Sequence, residues 1–282
     1  MRAGKLLHFR EDRWPVAFTA AVLAVQLAIF FGVESPWLAL LLVLLFQPVQ
    51  AVAIACNHYQ HHKNVFTVRG LNRLYEVVLF LETGMPPYLI TLHHNLGHHL
   101  HYLGGPDDTL NWRRLDGEPL GPWRCLVQNT WGHVPQTMAI GRRFPRIYRR
   151  LQLWLGLSAL PLLALLLFDW RQALVVFVLP MVLALANVAR LGYHQHAGVD
   201  GDDHLSASRN IESRLYNLLT FNSGYHAAHH LKPGVHWSRL PELHRQVRAG
   251  IPAELLAGYH SPSPRARFVV SRSPAGSPGA AP

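Results

Sequence analysis

Apolar positions in this chain fall into four long runs, and the runs come in two pairs. Residues 16–33 are apolar almost without interruption, Glu34-Ser35-Pro36 breaks the pattern, and residues 37–56 resume it. The second pair covers 151–168 and 172–189, separated by Asp169-Trp170-Arg171. A run of roughly 18 apolar residues reaches across a bilayer when modestly tilted. The pattern predicts an all-α integral membrane protein with four transmembrane helices in two hairpins. The first run is too long for a signal peptide, and no small-residue cleavage site precedes the next segment. Pro161 and Pro180 lie inside the second pair, where membrane helices tolerate proline better than soluble ones do.

Residues 57–150 are polar and rich in His and Arg. A weaker apolar patch at 77–92 is interrupted by Glu82, Gly84 and Pro86-Pro87, which predicts a re-entrant or interfacial segment rather than a full span. Arg142, Arg143, Arg146, Arg149 and Arg150 gather just before the second hairpin, whereas the two connecting turns carry only Glu34, and Asp169 with Arg171. The positive-inside rule therefore places the N-terminus, the central segment and the C-terminal third in the cytoplasm, as a helical cap. The domain reading is a cytoplasmic N-terminus at 1–14, a membrane domain at 15–260, and a Pro, Ser, Gly and Ala-rich tail at 261–282 that reads as disordered. No internal repeat is visible beyond the two hairpins.

Composition supports the membrane assignment. Only 15% of residues are charged while half are hydrophobic, against about a quarter charged in soluble domains. That excludes the ordinary soluble enzyme classes. The net charge of +10 does not imply a nucleic-acid partner, because the basic residues sit beside apolar segments instead of forming an aromatic-interleaved stripe. Cys56 and Cys125 are the two cysteines, in no pattern that suggests a disulfide framework or a thiolate metal site.

Histidine is the anomaly. There are 19, more than the 16 acidic residues. Most of them fall in four short windows: His58-Tyr-Gln-His61-His62, His93-His94-Asn-Leu-Gly-His98-His99-Leu-His101, His194-Gln-His196 and His226-Ala-Ala-His229-His230. On a helix, residues at i, i+3 and i+4 share a face. His58 should therefore converge with His62, His94 with His98, and His226 with His229 and His230. In the first window His61 competes with His62, and i, i+4 spacing favours His62. Imidazole suits Zn, Cu, Fe and Ni alike. A tetrahedral zinc needs at most four ligands, so nine or so clustered imidazoles suit two ions of higher coordination number. Soluble di-iron carboxylate proteins use Glu-x-x-His pairs, and none occurs here.

Box order and spacing resemble the membrane-bound fatty acid desaturase superfamily, which also contains alkane and acyl hydroxylases and carotenoid ketolases. The three histidine boxes correspond to His58–His62, His94–His99 and His226–His230. Gln195-His196-Ala-Gly198 matches a further (Q/E)-H-x-G motif, and Pro233-Gly-Val-His-Trp237 with Leu240-Pro241-x-Leu243-His244 looks like the family's tail. The resemblance covers about residues 15–250. It implies a non-haem di-iron centre with O2 as co-substrate and two iron ions held by His58, His62, His94, His98, His99, His196, His226, His229 and His230. It implies desaturation of a membrane lipid acyl chain, acyl-lipid or acyl-CoA, with hydroxylation or ketolation of an alkyl, acyl or carotenoid substrate as the alternative. The HNxxHH form of the second box leans slightly toward the hydroxylase branch. The chain carries no cytochrome b5-like, flavin, GxGxxG or four-cysteine motif, so the electrons should come from an external ferredoxin- or rubredoxin-type donor with its reductase. A histidine-rich membrane metal transporter is a more distant alternative, disfavoured because spans two to four hold no carboxylate.

The remaining polar residues read more plainly. His93, His101 and His194 adjoin ligands and suggest supporting or surface roles, and Asp107 and Asp108 are candidates to orient a ligand imidazole. Asn222 suggests a helix cap. His8, His133, His204 and His260 read as surface residues. The arginine run at 142–150 reads as a topology anchor, with a docking surface for an acidic electron carrier as its second use.

Overall fold

The computed structural model describes residues 6–104, 107–114, 117–199 and 201–257; the tail expected at 261–282 lies outside them. The chain is mostly helical. Among the described residues, three helices are long and apolar enough to cross a membrane, four if one bent pair is a single span. Helix α1 covers Arg13–Gly32. Helix α2, Pro36–Gln50, starts on the Ser35 hydroxyl, which accepts the Leu38 N–H at 3.4 Å, with Pro36 at the first helical position; there the missing N–H costs nothing.

The helix carrying the second apolar run does not stop at residue 56. Past a 44° bend, α3 (Ala53–His62) continues it. Pro48, inside α2, removes a ladder hydrogen bond just before the bend. The apolar pattern ends while the helix goes on, because the last turns of α3 present histidines instead of leucines. Helix α4, Arg69–Thr83, closes on Gly84 in the left-handed conformation at φ +73°, the common glycine stop. The 77–92 patch is thus the end of α4, a turn through Pro86-Pro87, and the start of a π-helix at Thr91–His98.

Helix α5, Pro122–Arg143, is joined through Phe144 to α6, Pro145–Phe168. Pro161 lies within α6. Helix α7, Trp170–His196, begins where the Asp169 carboxylate accepts the backbone N–H groups of Arg171 and Gln172, both at 3.1 Å. It widens into a π-helical turn at Leu174–Val178. Short helices α8 (Arg214–Leu219), α9 (His226–Leu231) and α10 (Leu240–Val247) follow, with a two-stranded parallel pairing of β1, Asn210–Ile211, and β2, Leu256–Ala257.

Ile29, Phe30, Val43, Phe80, Phe177 and Met181 form the core that ties α1, α2, α4 and α7 together. The outer side of α6 leaves Leu153, Leu160, Leu163 and Leu167 exposed, as a lipid-facing helix does. Polar side chains inside the bundle are few and mostly bonded to backbone. The Gln172 amide donates to the Val33 carbonyl at 2.6 Å, at the otherwise open C-terminus of α1. The Gln26 amide donates to Val176 O at 3.0 Å, inside the widened turn of α7. Both supply partners that lipid could not.

Gly84 is a point of failure. A Cβ there would lie 2.8 Å from Met181 Cβ, on a backbone that side chains rarely adopt. Gly84→Ala should cost about 1–3 kcal/mol, read as a lowered thermal unfolding midpoint in detergent.

Candidate metal centre

Four helical segments end at one place. His58 and His62 lie one turn apart on α3; His94, His98 and His99 lie on and just after the π-helix; His196 is the last residue of α7; His226, His229 and His230 occupy α9. Their ring nitrogens form two quartets, His58, His62, His94 and His229, and His98, His196, His226 and His230. Within each, one nitrogen from every ring lies within 4.8 Å of the others. His99 joins both groups: its Nε2 stands 2.9 Å from that of His94 and 3.0 Å from that of His229, and its ring is 4.4 Å from that of His230. All nine residues singled out by the sequence therefore converge. His62 enters a quartet, while His61 turns back to the Asn57 carbonyl at 2.9 Å.

The pairing departs from the helical-face expectation at two windows. Helical spacing predicts that His94 and His98 share one point, but they belong to different quartets. The π-helix explains this: with i→i+5 hydrogen bonds, residues five apart stack, so His94 meets His99 and His98 turns to the other side. In α9 His226 and His230 stay together at 3.0 Å, while His229 crosses to the His58 group.

Hydrogen bonds at the far side of the rings define the donor set. His98 Nδ1 is 2.7 Å from Asp108 Oδ1, and His196 Nδ1 is 3.1 Å from the Ala207 carbonyl. With the Nδ1 protons engaged, both Nε2 atoms present lone pairs, and they face each other at 3.2 Å. Lone pairs so placed repel unless a cation stands among them, which is how metal-bound histidines are oriented. The residues fit a pair of nitrogen-loving ions.

Electrostatics agree. Burial, then repulsion from neighbouring imidazoles, pushes His94, His99, His226, His229 and His230 below the ordinary histidine range, which favours the neutral form that a metal would need. Burial alone raises the Asp108 carboxyl, but His98, the hydrogen bond to it and the Leu110 N–H outweigh this and hold it below the usual carboxylate range.

An apolar cavity of about 750 Å³ leads to this centre. Leu44 and Pro48 of α2 and Leu183 of α7 line it, as do Met85, Ile90, Leu110 and Leu126, and it reaches His58, His94, His98, His226 and His229. It touches both quartets. Among the described residues, Arg190 is the one fully charged side chain in its lining.

Several residues depart from their sequence readings. His133 is not on the surface: it is 3% exposed and its ring stacks on His93 at 3.7 Å. Asn222 caps no helix; it adopts φ +65° and donates to Trp237 O at 3.1 Å. Asp107 holds no imidazole and pairs with Arg143 at 2.6 Å. His8 and His204 are exposed, and His260 lies outside the described residues. Sequence reasoning missed the Asp12 carboxylate, which accepts from His236 Nε2 at 2.8 Å and Trp237 Nε1 at 3.0 Å. It also missed the Gln60 amide, which donates to Glu76 and Asn72 at 3.0 and 3.2 Å. No local spacing announces pairs this far apart in the chain.

A helical bundle with two histidine quartets on the wall of an apolar cavity is a set of nitrogen donors that could hold metal ions. The chain belongs to the fatty acid desaturase family, matched over residues 35–262. It is also similar to the sphingolipid delta(4)-desaturase of Drosophila melanogaster, 37% identical over 82 residues, which is 26% of this chain and 26% of that relative. The matched stretch thus spans about a quarter of the relative's length.

Two outcomes follow from the geometry. Asp108→Ala leaves His98 Nδ1 without its acceptor and should weaken metal retention about 10- to 100-fold, measured as metal content after dialysis against graded chelator. Burial lowers His133 to about 4, against about 6.5 for an unfolded histidine. Protons then bind the unfolded chain preferentially, so stability is complete above pH 6.5 and is lost as pH falls toward 4. Unfolding midpoints of the metal-free protein should fall through that window, and less steeply in His133→Phe.

Proposed function

We propose that this protein is an O2-dependent desaturase that introduces a double bond into a membrane lipid acyl chain. The observation that carries the reading is the apolar cavity that ends on both histidine quartets; the family and the desaturase relative support it. The nine histidines are the proposed ligands of two irons. When bound, the iron pair supplies O2 activation: two electrons from the acyl chain and two from an external donor, with four protons, reduce O2 to two waters.

The chain's own residues do the rest. The Nε2 atoms of His58, His62, His94 and His229 hold one site, and those of His98, His196, His226 and His230 the other, with His99 between them. Asp108 and the Ala207 carbonyl fix the tautomers of His98 and His196. Met85, Ile90, Leu110 and Leu126 keep water from the alkyl chain, and the hydrocarbon is drawn from between α2 and α7, whose Leu44, Pro48 and Leu183 form that part of the wall.

The proposed layout is two hairpins, α1 with α2–α3 and α6 with α7, in a membrane domain at 15–260. The connecting turns face away from the histidines, and the histidine end faces the cytoplasm. Residues near the N-terminus support placing it at the same end, since Leu7 pairs with Phe66 and Asp12 with His236. The donor is proposed as a small ferredoxin- or rubredoxin-type protein.

Expression of the chain and of His229→Ala in a bacterial host, with acyl chains profiled by mass spectrometry, tests the reading. Chains two hydrogens lighter should appear only with the intact protein, which should purify with two irons. Chains that gain one oxygen would replace desaturation with hydroxylation. A purified protein that holds no iron and leaves the host's acyl chains unchanged would overturn both.

A further inference from the structure

Helix α5 buries the wrong side for a helix that is merely amphipathic. Its inward positions include Cys125, Asn129, His133 and Thr137, while Trp123, Val127, Trp131, Val134 and Met138 are exposed, the two tryptophans at 74% and 70%. At about 100° per residue, these five fall within an arc of roughly 80° on one flank. The neighbouring arc, about 60° wide, carries exposed Arg124, Gln128 and Arg142 together with Pro135 and Ala139. The back of the helix packs on the protein, one flank carries large apolar side chains, and the other carries the charged and polar ones with two small apolar residues.

Three environments around one helix are what an in-plane position at a bilayer surface requires. The polar inward face and the arginines exclude a span. The C-terminus of α5 is tied through Phe144 to α6, which exposes leucines along its length, and Arg142, Arg143, Arg146, Arg149 and Arg150 crowd that junction. Such a cluster belongs at the level of anionic headgroups, and tryptophan favours the same depth. The exposed stripe of α5 is therefore continuous along the chain with the lipid-facing surface of a span. We infer that α5 lies flat in the interface of an anionic leaflet, with the Trp123–Val127–Trp131–Val134–Met138 stripe in the acyl chains and the Arg124–Gln128–Arg142 strip in water. Its inner residues Leu126 and His133 line the cavity, so α5 is a wall shared by leaflet and cavity. The inference needs a membrane-embedded chain and does not depend on the desaturase chemistry.

Neighbouring residues separate the outcomes. In a background with Cys56 and Cys125 replaced by serine, single cysteines at Val127, Val134, Gln128 and Ala139 would be labelled with a fluorophore. The full chain would then be reconstituted in phosphatidylcholine–phosphatidylglycerol vesicles. Val127→Cys and Val134→Cys should be quenched severalfold more by acyl-brominated lipid than by iodide, and Gln128→Cys and Ala139→Cys the reverse. Unchanged unfolding midpoints confirm that each variant is folded. Iodide quenching at all four positions would place α5 in water and overturn the inference. Protection of Val127→Cys and Val134→Cys from both quenchers would overturn it too, by showing that another protein surface, such as a second copy, covers the stripe.

Discussion

Imidazoles packed this densely can hold very little positive charge among themselves. Nine rings share one pocket, several with Nε2 atoms about 3 Å apart, and every proton added to one ring raises the cost of protonating the next. Burial turns that difficulty into a ligand set. Burial pushes His94, His99, His226, His229 and His230 toward the neutral form, which leaves nitrogen lone pairs that cations could fill. The hydrophobic packing of α2, α4 and α7, the bend after Pro48 and the hydrogen bonds behind His98 and His196 all bring uncharged nitrogens to a common point and hold them there.

That centre is braced by a second layer drawn from distant parts of the chain. Asp12 bonds to His236 and Trp237, Glu212 to His244 and Arg248, and Gln60 to Asn72 and Glu76. Gln60 ties the first box to α4, while Asp12 and Glu212 hold the segments that follow the third box, so polar pairs add to packing in fixing what surrounds the histidines. Glu82 is different. It is fully buried, and neither carboxyl oxygen has a hydrogen-bond partner among the described residues. Burial raises it to about 9, which makes it a neutral acid inside the bundle.

The four apolar runs, their grouping in pairs and the residues of the histidine cluster are legible in the sequence. Apolar stretches of that length are at home only in lipid or a deep core, and histidine windows that dense far exceed what packing needs. Helix existence is easier to read than helix geometry. The second apolar run ends as a pattern at residue 56, but α3 runs on to His62 past a bend that only Pro48 hints at. His94 and His98 look like partners under a 3.6-residue repeat, and a local π-helix, which carries no periodic signature, separates them. His133 reads as a surface residue for the same reason that α5 leaves no mark in the apolar pattern. An α5 that packs polar groups inward and shows tryptophans outward reverses the arrangement that identifies an ordinary amphipathic helix.

The distribution of the boxes between the quartets has a consequence for how the centre fills. The second box gives His94 to one quartet and His98 to the other, and the third gives His229 to the first and His226 with His230 to the second. The two sites are thus sewn through the same short stretches of backbone, six residues long in the case of α9. An ion bound in either quartet would tighten the backbone stretches that the other shares, so a second ion would meet a site already more rigid. Filling should then be all-or-none, with empty and doubly loaded molecules abundant and singly loaded ones scarce. Native mass spectra that showed mainly the one-metal species would contradict it.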